Sequence, residues 1–171
     1  EEYTNGNGQK VRKGPGDKLT PTLWQFLQSN ALYGFDVDPS MVKIATMNLI
    51  LHGLEKSQII RRDSIAGSPD EWEDREFDVI ISNPPFAGTI NKERIRKNLP
   101  VLTTDTTILF VGLMIDSLRQ GGRAGVIVNE GVLFNRNKAA KELRRYLMDK
   151  RNLVAVVSLP SGVFQPYAGV K

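Results

Sequence analysis

The run Phe77-Asp78-Val79-Ile80-Ile81-Ser82 passes directly into Asn83-Pro84-Pro85-Phe86, and this join leaves the backbone little choice. The first six residues are β-rich and apolar, with charged residues before them and prolines after, which predicts a buried strand over 77–82. Two consecutive prolines supply no N–H donors and hold φ near one value, so the sheet must end there. Past the strand end lies an acceptor-rich rim, made of backbone carbonyls and the Asn83 side chain. In open α/β sheets, ligands bind at that C-terminal edge.

Strand and helix signals alternate on both sides of this join. Ala31 to Asp36 predicts a strand, and Pro39 to His52 a helix with Asp38 as N-cap, Pro39 in the first turn and Gly53 as the stop. Gln58 to Arg61 is a short strand. Thr106 to Arg119 is apolar with a helical pattern, closed by Gly121-Gly122, and Arg123 to Val128 is the next strand. Lys138 to Asp149 is an amphipathic helix, with Ala140, Leu143 and Leu147 on one side and Lys138, Lys141 and Arg145 on the other. Leu153 to Leu159 predicts a last strand. The alternation implies an α/β fold, with a mostly parallel sheet and helices on both faces. Residues 1–18 read differently, as a polar and mobile connector that leads into a short helix. The predicted division is therefore 1–30 and 31–171.

Composition excludes several chemistries. With 171 residues, 40% of them hydrophobic and 25% charged, the chain has the makeup of one soluble domain with a genuine core. No apolar stretch is long enough to span a bilayer, since Ile108 to Ile115 stops at Asp116, and the first residues lack signal-peptide character. A cytoplasmic protein with no membrane partner is expected. There is no cysteine, so disulfides, thiolate zinc sites and the Cys nucleophile usual in methylation of cytosine carbon 5 are all ruled out. His52 is the single histidine, and its place before Gly53 predicts a helix cap rather than a catalytic base. No metal is required. The 23 basic residues exceed the 19 acidic by four and gather in Arg61-Arg62, Lys92 to Lys97 and Arg136 to Arg151. This fits a polyanion partner, and charged solvated faces would look much the same.

The rim after residue 82 suits chemistry on an exocyclic amino group. The lone pair of an aromatic amine is delocalised into its ring, which makes the nitrogen a poor nucleophile. The Asn83 side-chain oxygen and the Pro84 carbonyl can accept from both amine hydrogens, favouring a pyramidal nitrogen, while Phe86 stacks on the base. A proline-terminated strand and turn of no catalytic use would carry the same residues. Asp36 ends the first recognisable strand, where a Rossmann-like fold sets an acid against ribose hydroxyls; a helix cap or turn carboxylate is the alternative. Asp63 follows the next strand at the same edge, with Ser64 behind it, and can accept from an adenine amino group. An Asp-Ser turn is equally compatible.

A strand followed by Asn83-Pro84-Pro85-Phe86 resembles the amino-methyltransferases that use S-adenosylmethionine. More specifically, Gly34-Phe35-Asp36-Val37-Asp38-Pro39, continuing through Ala45-Thr46-Met47-Asn48-Leu49-Ile50-Leu51-His52-Gly53, resembles the cofactor segment of type I restriction-modification methylase subunits. These are adenine-specific DNA methyltransferases. The likeness continues through Gly121-Gly122-Arg123-Ala124 and Gly131-Val132-Leu133-Phe134. It closes with Leu159-Pro160-Ser161-Gly162-Val163-Phe164 and Pro166 to Lys171, covering about residues 31–171 in the family's order.

The resemblance implies a Rossmann-like methyltransferase fold, with S-adenosylmethionine held by Asp36, Asp63, Ser64 and Asn83. Asn83, Pro84, Pro85 and Phe86 would act on an adenine flipped out of double-stranded DNA. It further implies a DNA-specificity subunit as partner, and in many systems a restriction subunit. Three departures stand out. The glycine-rich cofactor loop is absent, Asp36 stands where Glu is frequent, and Asn129-Glu130 replaces a more usual Pro-containing step before Gly131. The fold is accordingly expected to be incomplete at the glycine-loop strand and at its C-terminal end. The chain would then be an internal piece of a longer methylase, inactive when isolated and with an incomplete cofactor pocket. Two other readings stay open: an RNA or protein-glutamine methyltransferase, and a non-catalytic scaffold that binds DNA or partner subunits.

Overall fold

The computed structural model describes residues 2–4, 8, 10–12, 19–66, 77–86, 88–149 and 153–164. The chain divides into two compact units, 1–63 and 64–171.

In the first unit, strands β1 (Glu2–Thr4) and β2 (Lys10–Arg12) pair antiparallel, a hairpin inside the stretch that reads as a polar connector. Helix α1 (Pro21–Ser29) is capped by Thr20, whose side chain accepts from the Leu23 N–H. Strand β3 (Tyr33–Asp36) pairs parallel with β4 (Gln58–Arg61), and helix α2 (Pro39–Leu51) makes the crossover between them. The caps of α2 follow from its sequence. Asp38 accepts from the Ser40 N–H, Pro39 occupies the first turn, and Gly53 takes a φ of +78°, which only glycine adopts at low cost. His52 is the C-cap, as its position predicts, with its backbone N–H and ring Nδ1 both at the Asn48 carbonyl. Val42, Ala45 and Leu49 turn toward the strand pair and are half-buried, whereas Met41, Ile44, Met47 and Leu51 are exposed.

In the second unit, β5 (Phe77–Ser82) pairs parallel with β6 (Leu118–Val126), joined through helix α3 (Thr106–Asp116). Helix α4 (Gly131–Phe134) and helix α5 (Lys138–Asp149) follow. Seven residues of α3 are buried, so this helix is apolar nearly all round, as a central element must be. One core cluster gathers Val101, Ile108, Val111, Val132, Ala140 and Leu143; another gathers Ile65, Leu99, Leu109 and Leu113. The apolar side of α5 predicted from periodicity is the buried one, with Ala140 and Leu143 fully enclosed and Leu147 packed at the margin.

The parallel pairing expected of the sheet is present in both units, as the two-stranded sheets β3–β4 and β5–β6. Other expectations change. Helix α3 ends at Asp116, and β6 begins at Leu118, so Gly121-Gly122 lies within a strand and does not close a helix. The register jumps from Phe77↔Leu118 to Val79↔Arg123, a bulge that absorbs the extra residues. Gly121 has a φ of +80°, and a Cβ on Gly122 would lie 2.8 Å from the Phe77 carbonyl oxygen. The glycines are there for close strand approach. Leu153 to Leu159 is not a strand, and Val154 and Val157 are 87% and 77% exposed, because no described strand lends it a ladder.

The basic segment 92–97 is also more ordered than a solvated loop. Lys92–Arg94 forms a 3-10 turn capped by Asn91, and Ala66 bridges to Ile95. Arg96 is buried, its Nε donating to Asn98 Oδ1 at 3.1 Å and its backbone N–H to the Ile65 carbonyl. Lys92, Arg94 and Lys97 remain on the surface. Among the described residues no helix is long and apolar enough to cross a membrane.

Candidate active site

Parallel pairing sets the C-terminal ends of β3 and β4 at one edge, with Asp36 in register with Arg61 and the Arg62 N–H donating to the Asp36 carbonyl at 2.8 Å. Asp63 therefore stands just past that edge, as predicted. The Asp36 carboxylate has two duties available to it. Its Oδ1 accepts from the Asp38 N–H at 2.8 Å, a local turn contact that orders the entry to α2. Among the described residues no hydrogen bond reaches its second oxygen. The turn reading of Asp36 is the one this contact shows.

Beside it, β3 and α2 border a shallow, open groove of about 500 Å³ lined by Phe35, Met41, Val42, Ile44, Ala45, Leu49 and Ile59, with Asp36 and Asn48 as its polar members. Gly34 opens this floor, because a Cβ there would meet the Ile59 Cδ1 at 2.8 Å. A largely apolar groove with one available carboxylate oxygen fits a nucleoside, whose base needs contact area and whose ribose needs an acceptor. Asp63 and Ser64 do not line it. Ser64 opens the second unit and precedes the buried Ile65.

The turn after β5 belongs to the second unit. The Ser82 carbonyl still accepts from the Ile127 N–H at 3.1 Å, so Asn83 is the first residue free of the ladder. Asn83 and Pro85 are exposed, Phe86 is half-buried, and Pro84 is buried. Three carbonyls of this turn are occupied. The Pro85 carbonyl accepts from Thr107 Oγ1 at 3.0 Å, and the Phe86 carbonyl from Asn129 Nδ2. The Gly88 carbonyl accepts from both the N–H and the hydroxyl of Thr106 at 3.2 Å. Among the described residues no hydrogen bond engages the Asn83 side chain or the Pro84 carbonyl. The Phe86 ring meets Phe164 edge-on, with centroids 5.1 Å apart.

Thr107, Asn129 and Phe164 were not singled out from sequence as site residues. A signal existed for Thr107, a hydroxyl inside a helix otherwise apolar, which needs a partner once buried. Asn129 was visible only as a departure from the usual step before Gly131; its amide now has an acceptor. Phe164 closes the Leu159 to Phe164 motif, and its meeting with Phe86 depends on tertiary structure. No group of His, Asp and Glu among the described residues is arranged to hold a metal ion.

A model of the N-6 DNA methylase family matches residues 25–171. The chain is 38% identical over 142 residues to the methylase subunit of the type I restriction enzyme EcoEI of Escherichia coli, a stretch that covers 82% of the chain and 29% of that relative. It is 33% identical over 160 residues to the EcoKI methylase subunit of Escherichia coli strain K12, covering 91% of the chain and 29% of the relative. Among solved structures, a chain from work on complex assembly and conformational transition of the type I R-M system superimposes with a TM-score of 0.80 at 34% identity. That superposition covers 90% of this chain and 31% of the other. The chain thus spans under a third of the length of these relatives.

Proposed function

Because the chain belongs to the N-6 DNA methylase family, we propose that it carries the amine-holding part of a site that methylates adenine in DNA, as the modification subunit of a type I restriction-modification system. The observation that carries this reading is the division of acceptors among residues 83–86 and 88. Among the described residues the fold occupies the carbonyls of Pro85, Phe86 and Gly88 and leaves those of the Asn83 side chain and Pro84. A carbonyl that the fold leaves without a donor can take one from a ligand. At this strand edge it suits a substrate N–H.

The residues then divide the work. Asn83 Oδ1 and the Pro84 carbonyl each accept one hydrogen of the adenine amine, and the nitrogen lone pair turns toward the incoming methyl group. Pro84 and Pro85 keep the rim stiff and free of competing donors. Phe86 offers its ring to the flipped base, with Phe164 at its edge. Asp36 would hold the ribose of the cofactor and Asp63 its adenine amine, with Ser64 and Asn83 as further cofactor contacts. S-adenosylmethionine supplies the electrophilic methyl, whose C–S bond electrons remain on sulfur. The amine gives up one proton to water as the N–C bond forms. DNA sequence is read elsewhere, by a specificity subunit, and a restriction subunit joins the same assembly.

The test is methyl transfer from radiolabelled S-adenosylmethionine by the native assembly that contains this polypeptide. DNA lacking N6-methyladenine, RNA and protein serve as acceptors. Label recovered as N6-methyladenine in DNA supports the reading. Label on RNA or on glutamine side chains moves the chain to the other amino-methyltransferases. No transfer, together with retained DNA or subunit binding, establishes the scaffold instead.

A further inference from the structure

The turn 83–86 has an anchoring problem that its sequence creates. Pro84 and Pro85 donate no hydrogen bonds, so the turn cannot be held through their N–H groups. It is held through carbonyls instead, by donors from two separate elements. One is Thr107, which is 2% exposed in the first turn of α3 and bonds the Pro85 carbonyl at 3.0 Å. The other is Asn129, which lies between β6 and α4 and bonds the Phe86 carbonyl.

Both donors are themselves fixed. The Thr107 N–H donates to Asp105 Oδ1 at 2.9 Å, and Asp105 caps α3 through the Ile108 N–H as well. The Asn129 carbonyl accepts from the Val132 N–H at 3.2 Å, which ties it to α4. Its side-chain Oδ1 lies 3.0 Å from the place a Cβ on Gly131 would take, so glycine at 131 leaves room for the amide to lie as it does.

We propose that Thr107 and Asn129 are positioning residues for the amine-holding turn, acting through the Pro85 and Phe86 carbonyls to aim the Pro84 carbonyl and the Phe86 ring. The geometry follows from the backbone. The Pro85 ring sets its own φ, so once Thr107 fixes the Pro85 carbonyl, the preceding peptide plane, which carries the Pro84 carbonyl, is left with little freedom. Asn129 fixes the peptide plane after Phe86 and so limits the ψ from which that ring projects. Reaction geometry this close tolerates little drift, and a misplacement of about 1 Å can cost about 10²-fold in rate. The inference rests on the adenine methylation reading above and goes further, in naming residues outside the motif that set its geometry.

The experiment measures single-turnover methyl transfer to adenine in unmethylated DNA by the native assembly. The wild type is compared with Thr107→Val, Thr107→Ser and Asn129→Asp. Rates are normalised to sites that bind S-adenosylhomocysteine, so that misfolded protein does not count. Thr107→Val keeps the shape and removes the donor, and Asn129→Asp replaces the donor with an acceptor. Both are expected to lower the rate per site about 10- to 100-fold, with the affinity for S-adenosylhomocysteine unchanged. Thr107→Ser is expected to stay within about threefold of wild type. A purely structural role would lower the number of sites and leave the rate per site alone. Wild-type rates in Thr107→Val and Asn129→Asp, or equal losses in Thr107→Ser and Thr107→Val, overturn the positioning role. A wild-type assembly that places no methyl on adenine overturns the underlying reading as well, an outcome separate from the other two.

Discussion

Asp36 ends β3 and Asn83 follows β5, and at each the proposed chemistry can be tested apart from the fold. Asp36 has one oxygen on the Asp38 N–H and another available. Asp36→Asn keeps an acceptor for the turn and removes the charge, so the two duties can be separated. Calorimetric titration of S-adenosylhomocysteine into the native assembly is expected to show about a tenfold loss of affinity, near the value of a charge-assisted hydrogen bond, while the unfolding midpoint stays in place. Asn83 is exposed and takes no part in the described hydrogen bonds, so its replacement should leave the fold intact. On the proposed function, Asn83→Ala removes an acceptor for the reacting amine. Methyl transfer is expected to fall about 10²- to 10³-fold, the scale seen when one preorganised hydrogen-bonding group is lost from a reacting centre. A loss below threefold would remove Asn83 from the mechanism. The alternative roles of Asp36 were legible in the sequence because cap and turn chemistry is local. Which Asp36 oxygen takes the turn contact was not, because it depends on how the side chain lies against the entry to α2.

At the scale of elements, the β5–β6 pair carries the turn, and its register depends on two glycines. Gly122 faces the carbonyls of Phe77, Asp78 and Arg119, all within 3.2 Å of where a Cβ would stand. Backbone atoms there cannot swing aside as a side chain would. Gly122→Ala is expected to destabilise the protein by about 1–3 kcal/mol, the usual cost of forcing atoms into a filled space. Gly125→Ala on the same strand meets nothing within 4 Å and serves as the control, expected within about 0.5 kcal/mol of wild type. Urea unfolding of the two variants decides between them. The sequence shows Gly121-Gly122 as a break and not what kind of break, since a helix stop and a bulged strand ask for the same residues. By contrast, α2, α5, β4 and β5 were legible almost to the residue, because caps, prolines and periodicity all agree within each segment.

At the scale of the whole molecule, the excess of four basic residues acquires a position only through folding. Arg96, counted from sequence with the surface cations, is enclosed beside Ile65 and Asn98, whereas Lys92 and Lys97 are exposed on the same segment. Exposed cations that contact phosphate release counterions, at roughly 0.9 units of salt slope for each contact. The double variant Lys92→Ala, Lys97→Ala is expected to flatten the slope of log affinity against log salt by about two in DNA-binding titrations of the native assembly. An unchanged slope would make this segment a solvated face. The sequence by itself determined the α/β alternation, the capped helices, the strand that ends at Ser82 and the family. All of these arise from residues adjacent in the chain, whose sterics and periodicity need no distant partner. Tertiary structure alone decided which carbonyls after that strand are occupied. Thr107 reaches Pro85 across 22 positions and Asn129 reaches Phe86 across 43, and only the packing of α3 and β6 beside β5 brings those donors to their acceptors.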